Sequence, residues 1–546
     1  MSATSASESK KEETNIVDTV QSLIVAFALA MAVRSFVTEG FVIPTGSMGP
    51  TLMGQHVRLK STVSGDEFPI DSGPAFEMYR YFGDQVVRQA RPIMDPMLSH
   101  ERAIGGLENG QIMQSSRMGD RVLVLKFLYP FHEPARWDVV VFKNPTDPVG
   151  DSQNYIKRLV GLPNEQFVIV DGDVFTAPLG ATDPSAFTIQ RKPEFVQTAV
   201  WRTVYDSDFV PIDPAALAKV WNRPWSGVPF QSVAKDQVQF AQGNARAWSK
   251  PIGHATLEWN HEVLPIDDWA AYNMWRDRLP GPYAMSDIRL RAALDCSDPV
   301  ALRTSLTISA RKRNFVFTLG DATLTLSILV SESGEVESKQ EFPFKAPAAG
   351  APFDLECVHV DQTLEVLVNG ESIGRMEYSF PSLDARLEAS FPGRTTADFL
   401  RNPMGVSAPP TALRWEFDGA ALTLRSVAVD RDLFYRSVAL APREQGALAT
   451  DLRDGLGFAC DPTNPAQLKE DQFLMLGDNS AASRDGRLWG AAHELVGLRF
   501  GEAAPFVVPR ELLLGKAWSV YFPAPVSPGF GMPAIVPDFG RLRFIR

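Results

Sequence analysis

From Ile16 to Val37 the chain turns apolar, and the stretch Leu23 to Val33 (LIVAFALAMAV) is uninterrupted. That core is only about half of a full membrane span, whereas counting from Ile16 gives about 22 residues, enough for a helix to cross a bilayer. A cleavable signal peptide and a buried core helix share this pattern. No clear small-residue cleavage site follows Val33, and Arg34 to Pro44 run straight into a Gly/Pro-punctuated loop, which favours an uncleaved transmembrane anchor over 16–37. Ahead of it, Met1 to Asn15 are small and polar, with Lys10 and Lys11 among Glu8, Glu12 and Glu13, the make-up of a disordered cytoplasmic tail over 1–15. Two lysines before the span against Arg34 after it favour the N-terminus inside and a single-pass topology, with the bulk of the chain on the outer face.

Beyond the anchor the pattern becomes that of strands. Gly119 to Phe127, Arg136 to Lys143 and Tyr155 to Asn164 read as three of them. In the third, alternation puts Tyr155, Lys157 and Leu159 on one face and Ile156 and Arg158 on the other. Ile288 to Leu294, Leu302 to Ile308, Phe315 to Leu319, Leu324 to Val330, Leu355 to Val360, Leu364 to Val368, Leu413 to Phe417 and Leu422 to Val429 read as short strands, and Asn369-Gly370 as a hairpin turn. So many strands with few helices predict a mainly β fold, with a β-sandwich over 286–436.

The 546 residues, at about 150 per domain, suggest three to four domains. A net charge of -12 argues against a nucleic-acid partner, because phosphate binding needs clustered cations. Cys296, Cys357 and Cys460 lie far apart, which excludes a disulfide-dense scaffold and a cysteine zinc ribbon, and the seven histidines show no HExxH spacing. No metal site and no cofactor are expected.

Chemistry is then sought in hydroxyls and amines. In Phe41-Val-Ile-Pro-Thr-Gly-Ser-Met-Gly-Pro-Thr-Leu52, Pro44 and Pro50 stiffen a loop that presents Ser47. Standing alone it is also an ordinary Gly/Pro turn. It lacks the GxSxG elbow, since position 45 is Thr, so a base other than histidine is needed. Lys157 is either a snorkelling surface lysine or a desolvated amine, neutral enough to take a serine proton near neutral pH. The third block, Leu476-Gly-Asp-Asn-Ser-Ala-Ala-Ser-Arg-Asp-Gly-Arg-Leu-Trp-Gly490, is rich in turn formers and polar side chains.

Taken in order after a membrane anchor, FVIPTGSMGPTL, GDRVLVLKF, RWDVVVFKNP with YIKRLVGLPNE, and LGDNSAASRDGRLWG resemble the bacterial type I signal peptidases, the Ser/Lys-dyad membrane proteases. With Leu514 to Phe522 the resemblance covers about a quarter of the chain. It implies a β catalytic core in two parts, 38–165 (with 53–118 inserted) and 471–546, separated by an insertion over 166–470. It makes Ser47 the nucleophile, Lys157 the general base and Ser483 a second hydroxyl near the lysine. The Ser47 N–H and the Thr45 hydroxyl would form the oxyanion hole, Asp485 and Arg487 a supporting ion pair, and Asp478 and Asn479 would hold the turns of their loop. Phe41, Ile43, Leu52, Tyr155 and Ile156 would line shallow pockets for small residues at positions -1 and -3 of a substrate, an A-x-A preference. The family often has Ser at positions 45 and 486, where this chain has Thr and Gly. The implied partners are signal peptides of secretory preproteins and the lipid bilayer, with the active site on the outer, periplasmic face of the cytoplasmic membrane.

His359 to Gly370 looks like the concanavalin/laminin-G jelly rolls, which often bind carbohydrate; no calcium-ligand cluster accompanies it, and an architectural module is the expectation. Ser47, Lys157 and Ser483 all lie outside 286–436, so that segment is expected to fold alone and to be dispensable for cleavage. Two rivals are a membrane-tethered binding protein with an inactive protease core, against which the intact Ser47 and Lys157 speak, and a self-cleaving Ser/Lys regulator, which would need a DNA-binding module this acidic chain lacks.

Overall fold

The structure is a computed structural model and describes residues 16–61, 63–71, 94–98, 116–147, 154–211, 223–227, 247–274, 281–401, 407–440, 455–500, 505–525 and 535–545. The expected tail over 1–15 and Tyr79, Tyr81 and Phe82 of the first insertion lie outside these residues. The apolar run is an α-helix, Ile16–Ala32, continued by one wider turn, Val33–Val37. Val17–Val37 is long and apolar enough to cross a membrane, and none of it is buried against the rest of the chain.

The helix leads directly into the edge strand Thr38–Val42 of an eight-stranded, mainly antiparallel sheet. Across that sheet follow Arg121–Leu125, Leu513–Phe522, Val139–Lys143, Asn154–Gly161, Gln472–Leu476 and Val508–Pro509, with Arg543–Phe544 on Leu513–Phe522. Strands from both ends of the chain therefore share one sheet. The Gly119-Asp120 pair shows why the loop carrying Ser47 sits where it does. A Cβ on Gly119 would stand 1.8 Å from the carbonyl oxygen of Ile43, so only glycine allows the two segments to touch. The buried Asp120 carboxylate accepts from the backbone N–H of Met53 (2.9 Å) and of Ala524 (3.0 Å), tying the end of the loop to the C-terminal strand.

All eight segments expected in the central region are strands, and they form a two-sheet sandwich. Its sheets also recruit strands ahead of residue 286. Arg202–Asp206 and Ala247–Lys250 pair with Leu422–Arg431, and Ala255–Trp259 pairs with Ala412–Asp418. These strands are short and their alternation brief, so they left no pattern like that of the later ones. Asn369 (φ 53) and Gly370 (φ 78) form the expected left-handed turn between Thr363–Val368 and Glu371–Glu377. A four-stranded sheet, Glu165–Val170, Asp173–Pro178, Thr188–Ile189 and Ala466–Leu468, bridges the two main bodies. Val168, Val170 and Phe175 pack into the sandwich core, while Phe167, Ile169 and Val174 pack with Leu474 and Leu476 of the first sheet. The alternation of one strand pair thus serves two cores. The chain is mainly β with an N-terminal apolar helix and a large sandwich.

Candidate active site

Ser47 lies in the one-turn 3-10 helix Gly46–Met48, which starts after Thr45 in extended conformation. Met48 and Leu52 are fully buried among Ile43, Val122, Val124, Val139, Val141 and Ile156, so the loop is fastened by its apolar side chains while Ser47 stays partly exposed. Lys157 projects from the strand Asn154–Gly161, only 4% exposed, and its Nζ donates to Ser47 Oγ at 2.5 Å and to the carbonyl of Ile156 at 3.2 Å. Burial lowers the Lys157 pKa to about 8; Asp485 and Asp478 oppose the shift and Arg487 adds to it. The Nζ also lies 5.4 Å from the centre of the Tyr155 ring. Ser47 and Lys157 thus meet from segments 110 positions apart.

The loop after Leu476 closes over this pair. Asn479 donates its backbone N–H to the carbonyl of Ser47 (3.1 Å) and its Nδ2 to that of Gly46 (2.9 Å). Asp478 receives a two-pronged hydrogen bond from Arg158 at 2.8 and 2.6 Å, both side chains being fully buried, and Arg158 also donates to the Trp137 carbonyl. The fork fixes the Lys157 strand against the loop. Asp485 and Arg487 are paired, with Nε to Oδ1 at 2.8 Å and Nη2 to Oδ2 at 2.7 Å, and Asp485 also accepts from Gly477 N–H at 2.9 Å. Arg487 further donates to the carbonyl of Arg436 and to both oxygens of Ser480.

Ser483 is buried, and its Oγ has no hydrogen-bond partner among the described residues. It stands across Gly477 from Ser47: a Cβ on Gly477 would be 2.1 Å from Ser483 Oγ and 2.5 Å from the Ser47 carbonyl. No hydrogen bond joins Ser483 to Lys157 among the described residues. At Gly486 a Cβ would lie 2.5 Å from Leu474 and 3.0 Å from the Phe506 carbonyl, so this loop packs around a glycine where the related pattern has serine. Thr45 is exposed and its side chain makes no capping bond to the Ser47 turn, leaving the hydroxyl available.

Of the five apolar residues expected to line pockets, Phe41 and Tyr155 present partly exposed rings. Ile43 (2%), Leu52 (0%) and Ile156 (8%) lie in the core cluster that Phe41 packs against, whereas Tyr155 packs with Phe142 and Trp489 in another. Along the lysine strand, pairing with Gln472–Leu476 begins only at Arg158, so among the described residues the Asn154–Lys157 edge on that side is unpaired, as is the outer edge of Thr38–Val42.

Three residues unseen in the sequence reading reach the site from the large insertion. Arg202 Nη2 donates to Thr51 Oγ1 at 2.9 Å. The Tyr272 ring lies on Gly46, where a Cβ would stand 2.2 Å from Cε1, and Asn273 exchanges amide hydrogen bonds with Asn479 at 2.7 and 3.1 Å. No local pattern marks them. Elsewhere, the buried carboxylates of Asp173, Asp287 and Asp361 offer oxygens within 4.8 Å of one another. Arg386 engages Asp173, Lys192 engages Asp361, and Ser286 and the Asp361 N–H engage Asp287, so each carboxylate has hydrogen-bond or ion-pair partners at this junction between the bridging sheet and the sandwich.

The family model described as "Signal peptidase, peptidase S26" matches residues 106–183, which include Lys157. A signal peptidase I of Pseudomonas aeruginosa is 32% identical over 97 residues, 14% of this chain and 33% of that protein. A signal peptidase I of Buchnera aphidicola is 36% identical over 72 residues, 11% of this chain and 22% of that protein. The chain thus spans a third or less of the length of these relatives. The resemblance to type I signal peptidases is borne out over that small part of the chain. Among solved structures, sheep galectin-11 matches 27% of this chain and 92% of its own at 16% identity and a TM-score of 0.18. The carbohydrate binding module CBM66 from Bacillus subtilis matches 34% of this chain and 85% of its own at 10% identity and a TM-score of 0.18.

Proposed function

We propose that this chain is a membrane-anchored serine endopeptidase that removes N-terminal signal peptides from exported preproteins, with Ser47 as nucleophile and Lys157 as general base. The observation that carries the reading is the 2.5 Å contact between Lys157 Nζ and Ser47 Oγ inside a desolvated pocket. An amine with its pKa near 8 is neutral in a useful fraction near neutral pH, and as a base it accepts the Ser47 proton while Oγ attacks the scissile carbonyl. The oxyanion that forms would be met by the Ser47 N–H and the Thr45 hydroxyl. Lys157 then gives that proton to the departing nitrogen, so that collapse expels the amine of the mature protein and leaves an acyl-Ser47. Neutral again, Lys157 takes a proton from the attacking water, and returns it to Ser47 Oγ as the ester breaks and the carboxyl end of the signal peptide leaves.

The two unpaired strand edges, Thr38–Val42 and Asn154–Lys157, suit an extended peptide that adds as a strand. The partly exposed Phe41 and Tyr155 rings, with Ile43, Leu52 and Ile156, would line shallow pockets for small side chains at -1 and -3. The apolar helix would anchor the enzyme in the cytoplasmic membrane with its N-terminus inside and the catalytic body on the outer face. Residues 38–165 and 471–546 are the proposed catalytic core. Cleavage of a preprotein in detergent by the wild type, and its loss in Ser47→Ala, tests the reading; wild-type turnover in Ser47→Ala rules it out.

A further inference from the structure

We propose that Tyr272 and Asn273, which belong to the large insertion, are positioning residues that hold the Ser47 turn for attack; this deepens the peptidase reading and rests on it. Asn273 and Asn479 are each 6% exposed, and their side-chain amides bond reciprocally. That pairing fixes which way the Asn479 amide faces, and its Nδ2 is the donor to the Gly46 carbonyl, while its backbone N–H grips the Ser47 carbonyl. Tyr272, 3% exposed, covers Gly46 from the same side and approaches Gly49, where a Cβ would lie 3.5 Å from its ring. Two adjacent insertion residues therefore brace the turn both directly and through Asn479.

The brace is itself anchored to the sandwich. Arg431, at the end of the strand Leu422–Arg431, donates to the carbonyls of Asp268 (3.3 Å) and Trp269 (3.2 Å), and Arg436 pairs with the Asp268 carboxylate at 3.0 Å. On its other side Ala271 packs with Leu59, Phe68 and Ile70. A turn that must keep its hydroxyl within bonding reach of a base is sensitive at this level, since displacements of about 1 Å can cost roughly 100-fold in rate.

The test compares Asn273→Ala, Asn479→Ala and the double variant in full-length protein, with melting temperature as the check on folding. Asn273→Ala is expected to lower kcat about 10- to 100-fold with KM within about 2-fold of wild type, because Asn273 touches no substrate. The double variant should be no slower than Asn479→Ala, because Asn273 acts through Asn479. A second measurement is independent of proteolysis: the pH at which Lys157 becomes half-maximally reactive to acetic anhydride, read by mass spectrometry. Lys157 faces Ser47 and Tyr155, with Asp485, Asp478 and Arg487 as its charged neighbours. Loosening the turn admits water and moves that midpoint up from about 8 toward the ordinary lysine range. Unchanged kcat and an unchanged midpoint in folded Asn273→Ala would overturn the proposal. Should that variant not fold, Tyr272→Leu decides by the same two readouts. A wild type that labels near pH 8 and cleaves no preprotein would sink the peptidase reading alone, and the labelling of the variants would still decide the role of the brace.

Discussion

If Ser47 and Lys157 act as one unit in the proposed reaction, Ser47→Ala and Lys157→Ala are each expected to reduce turnover by about 100- to 10,000-fold, with the double variant no worse than either single one. Single-turnover cleavage measures both. Because desolvation lowers the Lys157 pKa to about 8, the neutral fraction of the amine, and with it the rate, falls as the pH drops below that value. The rate should therefore climb through about pH 8 and level off above it; a flat profile from pH 6 to 9, with chemistry rate-limiting, would contradict a lysine base. The neighbouring Gly486 gives a prediction about stability. Any side chain there meets Leu474 and the Phe506 carbonyl, so Gly486→Ser should cost about 1–3 kcal/mol in a denaturant titration, although serine is the residue the related pattern prefers. Ser47, Lys157, Asp485 and Arg487 were legible because each sits inside a short motif. Asn273 was not, because a lone asparagine in a loop carries no local sign of the amide it will meet.

At the scale of elements, hairpins were the most readable part of the chain wherever their turns contained glycine. Asn369-Gly370 announces itself, whereas the turns at Arg311-Lys312 (φ 53 and 60), Asp321-Ala322 (51 and 60) and Asp361-Gln362 (46 and 55) use residues that ordinarily avoid positive φ. In the first of them the context supplies the reason. Arg311 is buried and bonds Asp171 at 2.6 and 3.1 Å and the Ala284 carbonyl at 2.8 Å, so a tertiary ion pair offsets the unfavourable backbone conformation. Arg311→Met should leave the buried Asp171 short of one cation and destabilise the protein by about 3–5 kcal/mol, read from the shift in urea midpoint. A cost under about 1 kcal/mol would show that Arg386, which also reaches Asp171 at 3.0 Å, suffices.

For the whole molecule, the expectation that 286–436 is a detachable module does not fit the strand pairing. Cutting at 286 removes Arg202–Asp206, Ala247–Lys250 and Ala255–Trp259 from sheets they complete, and removing 286–436 takes away Arg431 and Arg436, which hold the segment that braces Ser47. A fragment over 201–436 should melt cooperatively by circular dichroism, and one over 286–436 should melt at least about 10 °C lower or not fold. Replacing 286–436 by a Gly/Ser linker should abolish cleavage even of a short peptide; retained activity would return the sandwich to the role of a passive insertion. The sequence by itself determined the apolar helix, the alternating strands of the sandwich, the glycine-marked turns and the order of the Ser and Lys motifs. Each of these is written in residues close together, where periodicity and turn chemistry act. Only the tertiary structure decided that one bridging sheet serves two cores, that Asp171 waits for Arg311 140 residues on, and that Asn273 meets Asn479 across 206. Such contacts form when distant segments are packed together, and a pairing set by packing leaves no period in the chain for a reader to find.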